Sequence, residues 1–517
     1  MKMQKSTQLR IAVVVVAAVA LLGVHQLRKT NHRVGAEPDS SAPAPIRQAD
    51  GSLRLGDLRF SPCELKAPLT GATSAALCAP FSVPEDWDQP DGRKIDLKLA
   101  LIASNAAAPP ADPLVLLAGG PGQAATEVWA QERGAFAPMR EHRNVLLLDQ
   151  RGTGGSNAFT CKLEDSGDGE AFDIERVRRN TGICLEQVKA HADPRYYTTS
   201  FALRDLEAVR QAIGAPRLNL IGVSYGTRVA QQYAKRYPDA VRSIILDSAV
   251  PNDNALGSDF AANLDASLKA QFALCAADAA CAKAFGDPWA NLQKLRSALR
   301  AQPIEASYRD PVSNAPETMK VGEDSLAALA RMYAYMPEMS ALLPLGISRA
   351  LAGDHAGLAG QAKMLGLELK SLTDNAMQLS VICAEDADRL TVNPADRDTL
   401  LGTRFVEVIQ AQCALWPHGT RPAGFNAPLT GDVPVLLLAG QFDPVTPPRY
   451  AQAIARQLPK SRVLIANGQG HSVLGRGCFP KLAARFVDTR DALALEADCV
   501  KNFSPIPAFI DFSGAAP

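Results

Sequence analysis

The stretch Gly222–Gly226, with the sequence Gly-Val-Ser-Tyr-Gly, constrains the fold of this chain more than any other feature. The apolar run 218–221 before it is typical of a buried strand, and residues 227–233 continue as a helix-like run. A serine between such a strand and helix projects from a sharp, crowded turn that needs small neighbours. The pattern predicts a nucleophilic Ser224, although a glycine-flanked turn without chemistry fits these five residues equally well.

Three histidines follow Ser224 and are candidates for a general base. His355 and His418 lie in turns, whereas His471 lies in a glycine-rich loop just after the strand-like run 462–466. Hydrolases with a serine at this kind of turn place the acid and then the histidine after it in the chain. We therefore expect His471 to take the proton of the Ser224 hydroxyl.

Asp443 is the candidate for the third catalytic group. The apolar run 433–440 predicts a buried parallel strand, and Asp443 follows its C-terminal end, where catalytic groups of parallel sheets gather. The alternative is a helix cap, because an Asp before a proline often begins a helix. Its place between Ser224 and His471 favours a hydrogen bond to one imidazole nitrogen, which would fix the tautomer.

A second glycine-rich loop, Ala118-Gly119-Gly120-Pro121-Gly122, follows the strand-like run 112–117. Its glycines allow the backbone to approach a reacting carbonyl closely. We expect the N–H groups of Gly120 and Tyr225 to form an oxyanion hole, with Gly119 against the substrate. An ordinary Gly/Pro turn is the alternative.

These segments, together with Asp-Gln-Arg-Gly-Thr-Gly-Gly-Ser at residues 149–156, resemble the proline iminopeptidase family of α/β-hydrolase peptidases. The stretch 443–447, the Gly470-His471 loop and the cysteine-containing tail resemble its tripeptidyl aminopeptidase branch. The resemblance implies an α/β-hydrolase fold, which is a mostly parallel sheet with helices on both faces and an inserted helical lid. One departure is Ala118, where the family commonly has His, and we interpret it as tuning the oxyanion hole.

The order of strand-like and helix-like segments predicts how the chain is divided. Alternating strands and helices in residues 60–255, and the return to strands in 426–517, predict the two parts of the hydrolase core. Helix-like runs dominate residues 256–425 and predict the lid. Residues 1–36 are predicted to be a signal peptide or an N-terminal membrane anchor, and residues 37–59 a flexible linker.

Two features of the predicted lid are candidates for substrate selection. One is an apolar cluster that forms either core or a pocket wall: Met332, Tyr333, Tyr335, Met336 and Met339. The other is the pair Glu385 and Asp386, because the resemblance implies aminopeptidases in which a carboxylate holds the N-terminal ammonium of the substrate. A solvated surface pair is the alternative. Arg151 is expected to tie its own loop together.

The cysteines and the amino terminus predict export. Basic residues precede the apolar run 11–24, and an even number of cysteines, ten, falls in five sequence-local couples. Disulfides are normal outside the cytoplasm and rare within it, so bridging is favoured over buried free thiols, although spacing alone does not fix connectivity. The predicted bonds are Cys63–Cys78, Cys161–Cys184, Cys275–Cys281, Cys383–Cys413 and Cys478–Cys499. We expect a periplasmic, secreted or inner-membrane-anchored protein facing away from the cytoplasm.

The charge balance narrows the possible partners. The 54 Lys and Arg residues equal the 54 Asp and Glu residues, which gives no electrostatic reason to expect nucleic acid as a partner. No cysteine or histidine spacing suggests a metal, and the chemistry needs no organic cofactor.

The favoured interpretation is an exported serine aminopeptidase that releases proline or short di- or tripeptide units from peptides. An exported carboxylesterase or lipase with the same triad, and a non-catalytic binding module on this scaffold, are the alternatives.

Overall fold

A computed structural model describes residues 46–68, 70–163, 173–373 and 376–514 of the protein. The signal peptide or anchor predicted for residues 1–36 lies outside these ranges. Within them, no helix is both long and apolar enough to cross a membrane.

The core is an 11-stranded sheet in the order β1-β2-β3-β4-β5-β7-β6-β8-β9-β12-β13. From β7 to β13 in that order the neighbouring strands run parallel, whereas β1 to β5 pair antiparallel and β5 joins β7 antiparallel. The strands of this sheet are β1 (Ile46–Arg47), β2 (Leu53–Leu55), β3 (Leu58–Lys66), β4 (Thr73–Pro84), β5 (Lys94–Ile102), β6 (Leu114–Leu117), β7 (Val145–Leu148), β8 (Leu218–Val223), β9 (Val241–Asp247), β12 (Val435–Gly440) and β13 (Ser461–Ala466). The predicted α/β-hydrolase fold is confirmed.

The central strands are apolar throughout because both faces of the sheet are covered. In β12, Val435 and Leu437 belong to the hydrophobic cluster on one face, while Leu436 and Leu438 belong to the cluster on the other. All four side chains are fully buried, as expected when successive residues of a strand point to opposite, helix-covered faces. The continuous apolar run in the sequence is therefore the signature of a doubly covered parallel strand.

Helices cover the sheet and also build an extra region between β9 and β12. Those of the core are α1 (Ala125–Arg140), α2 (Ile174–Lys189), α3 (Thr199–Ala212), α4 (Tyr225–Arg236), α14 (Pro448–Ala455) and α15 (Phe479–Thr489). Those of the extra region are α5 (Phe260–Ala277), α6 (Ala279–Phe285), α7 (Pro288–Ala301), α8 (Glu323–Ala334), α9 (Pro337–Ser340), α10 (Leu343–Leu351), α11 (Ala356–Thr373), α12 (Met377–Glu385) and α13 (Arg404–Cys413). Short 3₁₀-helices cover Pro194–Tyr196, Pro238–Ala240, Ala387–Arg389, Pro394–Asp398 and Asp498–Asn502.

The extra region, hereafter the insertion, has its own hydrophobic core. Leu268 of α5, Leu295 of α7 and Leu329 of α8 are buried together in it. The insertion also contains an antiparallel hairpin, β10 (Ile304–Arg309) and β11 (Pro316–Val321), which the prediction of a helical lid did not include. In that segment Ala306 and Tyr308 are buried while Glu305 and Ser307 are exposed, the period of two that marks a half-buried strand.

The linker predicted for residues 37–59 is wrong over its last residues. Strand β2 and the beginning of β3 lie there, and Leu53 and Leu55 are buried against the sheet. The two leucines alternate with the exposed Arg54, so this short segment carries a strand pattern just after the Ser-, Pro- and Ala-rich residues 37–50 that suggested flexibility. Residues 37–45 lie outside the described ranges.

All five predicted cysteine pairs are bonded in the structure. They close short loops, and Cys383–Cys413 joins the helices α12 and α13 of the insertion. No cysteine is left free in the described part of the chain. Five disulfides indicate an extracytoplasmic location, because the cytoplasm keeps thiols reduced.

We expect reduction of the purified protein to add two hydrogen atoms for each of the five bonds. Intact-mass spectrometry before and after reduction measures this increase. Peptide mapping without reduction should recover the same five pairs. Alkylation of any cysteine in the denatured, unreduced protein would contradict a fully bonded set.

Candidate active site

Ser224 sits at a strained turn between β8 and α4. Its backbone angles, φ 54° and ψ −122°, lie in a region that residues other than glycine rarely adopt. The turn is packed so closely that a Cβ on Gly226 would lie 1.9 Å from the carbonyl oxygen of Leu117, and one on Gly222 would lie 2.5 Å from that of Gly226. Both glycines of the motif are therefore required by sterics.

His471 and Asp443 meet at the carboxyl edge of the sheet. Their loops follow β13 and β12, and Nδ1 of His471 lies 2.8 Å from Oδ2 of Asp443. Asp443 also accepts hydrogen bonds from the N–H groups of Val445 and Thr446 and from the Thr446 hydroxyl, at 2.8 to 2.9 Å. Burial opposes ionisation of this carboxyl, but the imidazole and the two amides lower its pKa to about 2. The pair is arranged as a charged acid that orients an imidazole.

The insertion holds the base from the other side. The backbone N–H of His471 donates to the carbonyl oxygen of Tyr335 at 2.9 Å, and the two rings lie edge to face with centroids 5.1 Å apart. A Cβ on Gly470 would come within 2.2 Å of the same Tyr335 oxygen. The residues predicted to form one apolar cluster around Tyr335 therefore have different surroundings. Tyr335 contacts the candidate base, whereas Met336 is exposed. Met332 and Tyr333 pack on the core of the insertion.

Asp247, the last residue of β9, joins the backbone of the nucleophile to the loop of the base. Its carbonyl oxygen accepts the N–H of Ser224 at 3.0 Å. Its buried carboxylate accepts the N–H groups of Val473 and Leu474 and the Ser472 hydroxyl at 2.9 to 3.0 Å. Both segments are therefore fixed to one residue, at the end of the strand next to β12, which precedes the candidate acid.

Three carboxylates act on the protonation of His471. Burial works against the charged imidazolium, but Asp443, with Asp247 and Glu132 adding to it, raises the pKa of His471 above its usual value. Burial in turn raises the pKa of Asp247, opposed by the two amides, the Ser472 hydroxyl and His471. The site thus favours taking up a proton on the imidazole, which is what a general base must do.

The Ser224 hydroxyl makes no hydrogen bond to His471 within the described residues. Their backbones are nevertheless held by adjacent residues, because Ser224 bonds to Asp247 and the N–H of Ser472 donates to the Ser248 hydroxyl at 2.8 Å. In hydrolases without bound substrate this contact is commonly long and tightens in the complex with substrate.

The glycine loop predicted to supply one oxyanion donor lies directly beside Ser224. A Cβ on Gly119 would stand 3.1 Å from Cβ of Ser224, so this loop touches the candidate nucleophile. Gly120 has φ 101°, which favours glycine, and a Cβ there would lie 2.7 Å from the N atom of Gly122. Tyr225 is the first residue of α4, where backbone N–H groups have no partner within the helix. That these N–H groups bind an oxyanion remains a prediction.

The Asp-Gln-Arg-Gly stretch after β7 makes hydrogen bonds to the residues that follow the glycine loop and to the residue that follows Ser224. Asp149 accepts the N–H and the hydroxyl of Thr126 at 2.9 Å each, which fixes the beginning of α1 behind the glycine loop. Gln150 donates to the Tyr225 hydroxyl at 3.2 Å. Arg151, fully buried, forms a two-bond pair with Asp205 at 2.6 and 2.7 Å. Arg151 therefore ties its loop to the core, as expected.

Glu385 and Asp386 are not placed to meet a substrate amine, which corrects the role predicted for them. Both are buried, and the Asp386 carboxylate is shared between Arg228 and Arg389, at 2.7 and 2.5 Å. Glu385 accepts the N–H of Thr199 at 2.7 Å and its hydroxyl at 3.0 Å. A carboxylate in the interior needs such partners, and here the protein supplies all of them.

Glu385 instead belongs to a buried polar chain beneath the candidate nucleophile. The Thr199 hydroxyl that bonds to it lies 2.7 Å from the Tyr225 hydroxyl. Burial, with Asp386 adding to it, raises the pKa of Glu385 to about 7, although Arg228 and Thr199 oppose the shift. The chain links the end of α12 to the residue that follows Ser224.

Sequence reasoning missed Asp247, Ser248 and Glu132. A signal was present for Asp247, because it ends the strand directly after the helix that Ser224 begins. The carboxyl ends of parallel strands are where functional side chains gather. Nothing in the sequence gave Glu132 a role, since it lies inside an ordinary amphipathic helix. Among the described residues no group of three or more His, Cys, Asp or Glu could hold a metal ion.

Comparison with known proteins agrees with this geometry. Residues 112–476 match the family of the alpha/beta hydrolase fold. The chain is 26% identical over 495 residues to the serine protease Hip1 of Mycobacterium tuberculosis, covering 84% of this chain and 89% of that protein. It is 26% identical over 471 residues to a tripeptidyl aminopeptidase of Streptomyces lividans, covering 83% and 84%.

Two further proteins are similar to this chain, one by sequence and one by structure. A carboxylesterase B of Mycobacterium tuberculosis is 27% identical over 426 residues, covering 75% of this chain and 79% of that protein. The crystal structure of a proline iminopeptidase from Mycobacterium smegmatis has a TM-score of 0.34 and 16% identity, covering 80% and 99%. The predicted resemblance to tripeptidyl aminopeptidases is confirmed. The chain belongs to the alpha/beta hydrolase family and is a serine hydrolase related to peptidases.

Proposed function

We propose that the protein is an exported serine aminopeptidase that uses Ser224, His471 and Asp443 to cleave peptides near their amino terminus. The observation that carries the proposal is the hydrogen bond between Nδ1 of His471 and the ionised Asp443, set beside a serine on a strained turn. The relatives named serine protease and tripeptidyl aminopeptidase, which cover most of this chain, support a peptide substrate.

The residues present supply every step of amide hydrolysis. Nε2 of His471 takes the Ser224 proton while Oγ adds to the scissile carbonyl, and the Gly120 and Tyr225 N–H groups bind the resulting oxyanion. Each such donor typically contributes about 3 kcal/mol to the transition state. Collapse of the adduct breaks the C–N bond, and His471 protonates the departing amine. Water, deprotonated by His471, then releases the acyl group and restores Ser224.

The insertion is proposed to act as the lid that limits how much of a peptide enters the site. It reaches the candidate base through Tyr335, and the segment that follows carries the exposed Met336. A wall directly beside the base restricts the length of chain on one side of the scissile bond. That restriction is what distinguishes an exopeptidase from an endopeptidase.

A carboxylesterase with the same triad is the second candidate function. The similarity to carboxylesterase B favours it, and the same chemistry cleaves esters, whose leaving groups depart more easily than amines. Substrates therefore have to separate the two functions.

The disulfides and the predicted leader together support an exported protein. Whether residues 1–36 are removed or retained as an anchor determines whether it is free in the periplasm or medium or held at the outer face of the inner membrane. Both arrangements place the site where peptides from outside the cytoplasm reach it.

We expect the wild-type protein to hydrolyse Pro-, Ala- or Ala-Ala-Phe-p-nitroanilide as well as p-nitrophenyl butyrate. Replacing Ser224 with Ala removes the nucleophile and should lower kcat by about 10⁴-fold or more on each of them. Steady-state absorbance assays of the released p-nitroaniline and p-nitrophenol measure both activities. Turnover of esters alone by the wild type would favour the carboxylesterase, and undiminished turnover by Ser224→Ala would refute the nucleophile.

The pH dependence provides a separate test of the base. Because neighbouring carboxylates raise the pKa of His471, kcat/KM should fall on the acid side with an apparent pKa above that of an ordinary histidine. Asp247→Asn removes one negative charge, which lowers the pKa of the imidazole and moves this limb to lower pH. The variant should also lose about 10-fold or more in kcat/KM, because its amide cannot accept all of the hydrogen bonds from residues 472–474.

Ser248→Ala is the matched control for this experiment. It removes the hydrogen bond from the N–H of Ser472 but no charge, so activity should fall while the acid limb stays in place. Equal displacement of the limb in both variants would show that Asp247 acts only through loop geometry.

A further inference from the structure

Glu132 has an unusual position on α1, the helix that follows the glycine loop. The side chains that flank it on the same helical face are buried: Trp129 at 2%, Ala135 at 7%, Phe136 at 1% and Met139 at 3% exposure. Viewed along the helix axis, Glu132 lies between these buried side chains, and yet it is exposed. The packing of this face therefore opens at one point, and a carboxylate occupies the opening.

The opening faces the loop of the candidate base. Ala135, one turn further along α1, lies 3.5 Å from where a Cβ on Gly475 would be, four residues after His471. The charge of Glu132 contributes to the raised pKa of His471, and desolvation by the surrounding protein, with Asp247 adding to it, raises the pKa of Glu132. The carboxylate is thus exposed beside the loop of the base, on the helix that follows the oxyanion loop.

Glu132 has no cation of its own in the described part of the chain. Arg476, whose charge lowers the pKa of Glu132, forms a two-bond pair with Glu338 of the insertion. The other carboxylates that face His471, Asp443 and Asp247, are buried and have all their partners within the protein. Among the three carboxylates that raise the pKa of His471, Glu132 is the exposed one.

We propose that Glu132 binds an ammonium group of the substrate and so determines which peptides are cleaved. The inference rests on the proposed function and extends it from the three reacting residues to substrate recognition. A free α-amine and a lysine side chain both present this chemistry. The α-amine is the group that an enzyme acting at the amino terminus has to recognise.

Glu132→Gln keeps the shape of the side chain and removes its charge. For Ala-Ala-Phe-p-nitroanilide we expect kcat/KM to fall about 10- to 100-fold, mainly through KM, as for the loss of a charge-assisted hydrogen bond. N-acetyl-Ala-Ala-Phe-p-nitroanilide and p-nitrophenyl butyrate carry no ammonium, so their turnover should change by less than about 3-fold. Glu141→Gln changes an exposed carboxylate just after the C-terminal end of α1, and this control should match the wild type on every substrate.

A lysine substrate identifies the source of the ammonium. If Glu132→Gln loses turnover of N-acetyl-Ala-Ala-Lys-p-nitroanilide but not of the free-amine peptide, the bound group is the side chain. Loss on the free-amine peptide alone supports recognition of the amino terminus. Equal loss on all substrates, including the ester, or no loss on either ammonium substrate, would overturn the proposal.

The failure of the proposed function is distinguishable from the failure of this inference. If the wild type cleaves esters but no anilide, the free and N-acetylated p-nitrophenyl esters of alanine replace the peptides. A drop for the free ester alone in Glu132→Gln would then still support ammonium binding. An unchanged ratio between the two esters would overturn it.

Discussion

The buried carboxylate of Asp247 is the interaction on which the candidate site depends. Its main chain fixes the backbone of Ser224, and its side chain fixes three consecutive residues after His471. A carboxylate with several amide donors tolerates complete burial, so the protein can place this negative charge directly under the catalytic edge. The same residue thus serves geometry and electrostatics, because the charge that holds the loop also raises the pKa of the base.

Around that centre, the supporting contacts come from parts of the chain that are far apart in sequence. Asp149 fixes the helix behind the oxyanion loop, and the chain from Glu385 through Thr199 to Tyr225 connects the insertion to the turn that holds the nucleophile. Tyr335 reaches the base from a different helix of the insertion. The disulfide Cys383–Cys413 holds α12, which carries Glu385, to its neighbour. The insertion therefore contacts both sides of the reaction centre, which couples the region proposed to select the substrate to the groups proposed to cleave it.

The contrast between the acidic residues shows how burial decides their roles. Glu385 and Asp386 were attractive from sequence as a pair of adjacent carboxylates, but both are enclosed and bonded to arginine or threonine. Glu132 looked like any polar position of an amphipathic helix, yet it is exposed on a face that is otherwise buried. Pairing and exposure follow from the contacts between distant segments, so neither could be inferred from neighbours in the chain.

The sequence by itself determined the elements whose signals are local. The apolar run of β12, the glycines around Ser224 and the order of Ser224, Asp443 and His471 follow from the period of side chains in a strand, from sterics at a tight turn and from chain order. The cysteine couples were also local, because each closes a short loop. Only the tertiary structure decided which carboxylate clamps the loop of the base and which one is exposed beside that loop. Those roles depend on distances and desolvation, and a folded chain sets both by bringing together residues that the sequence keeps apart.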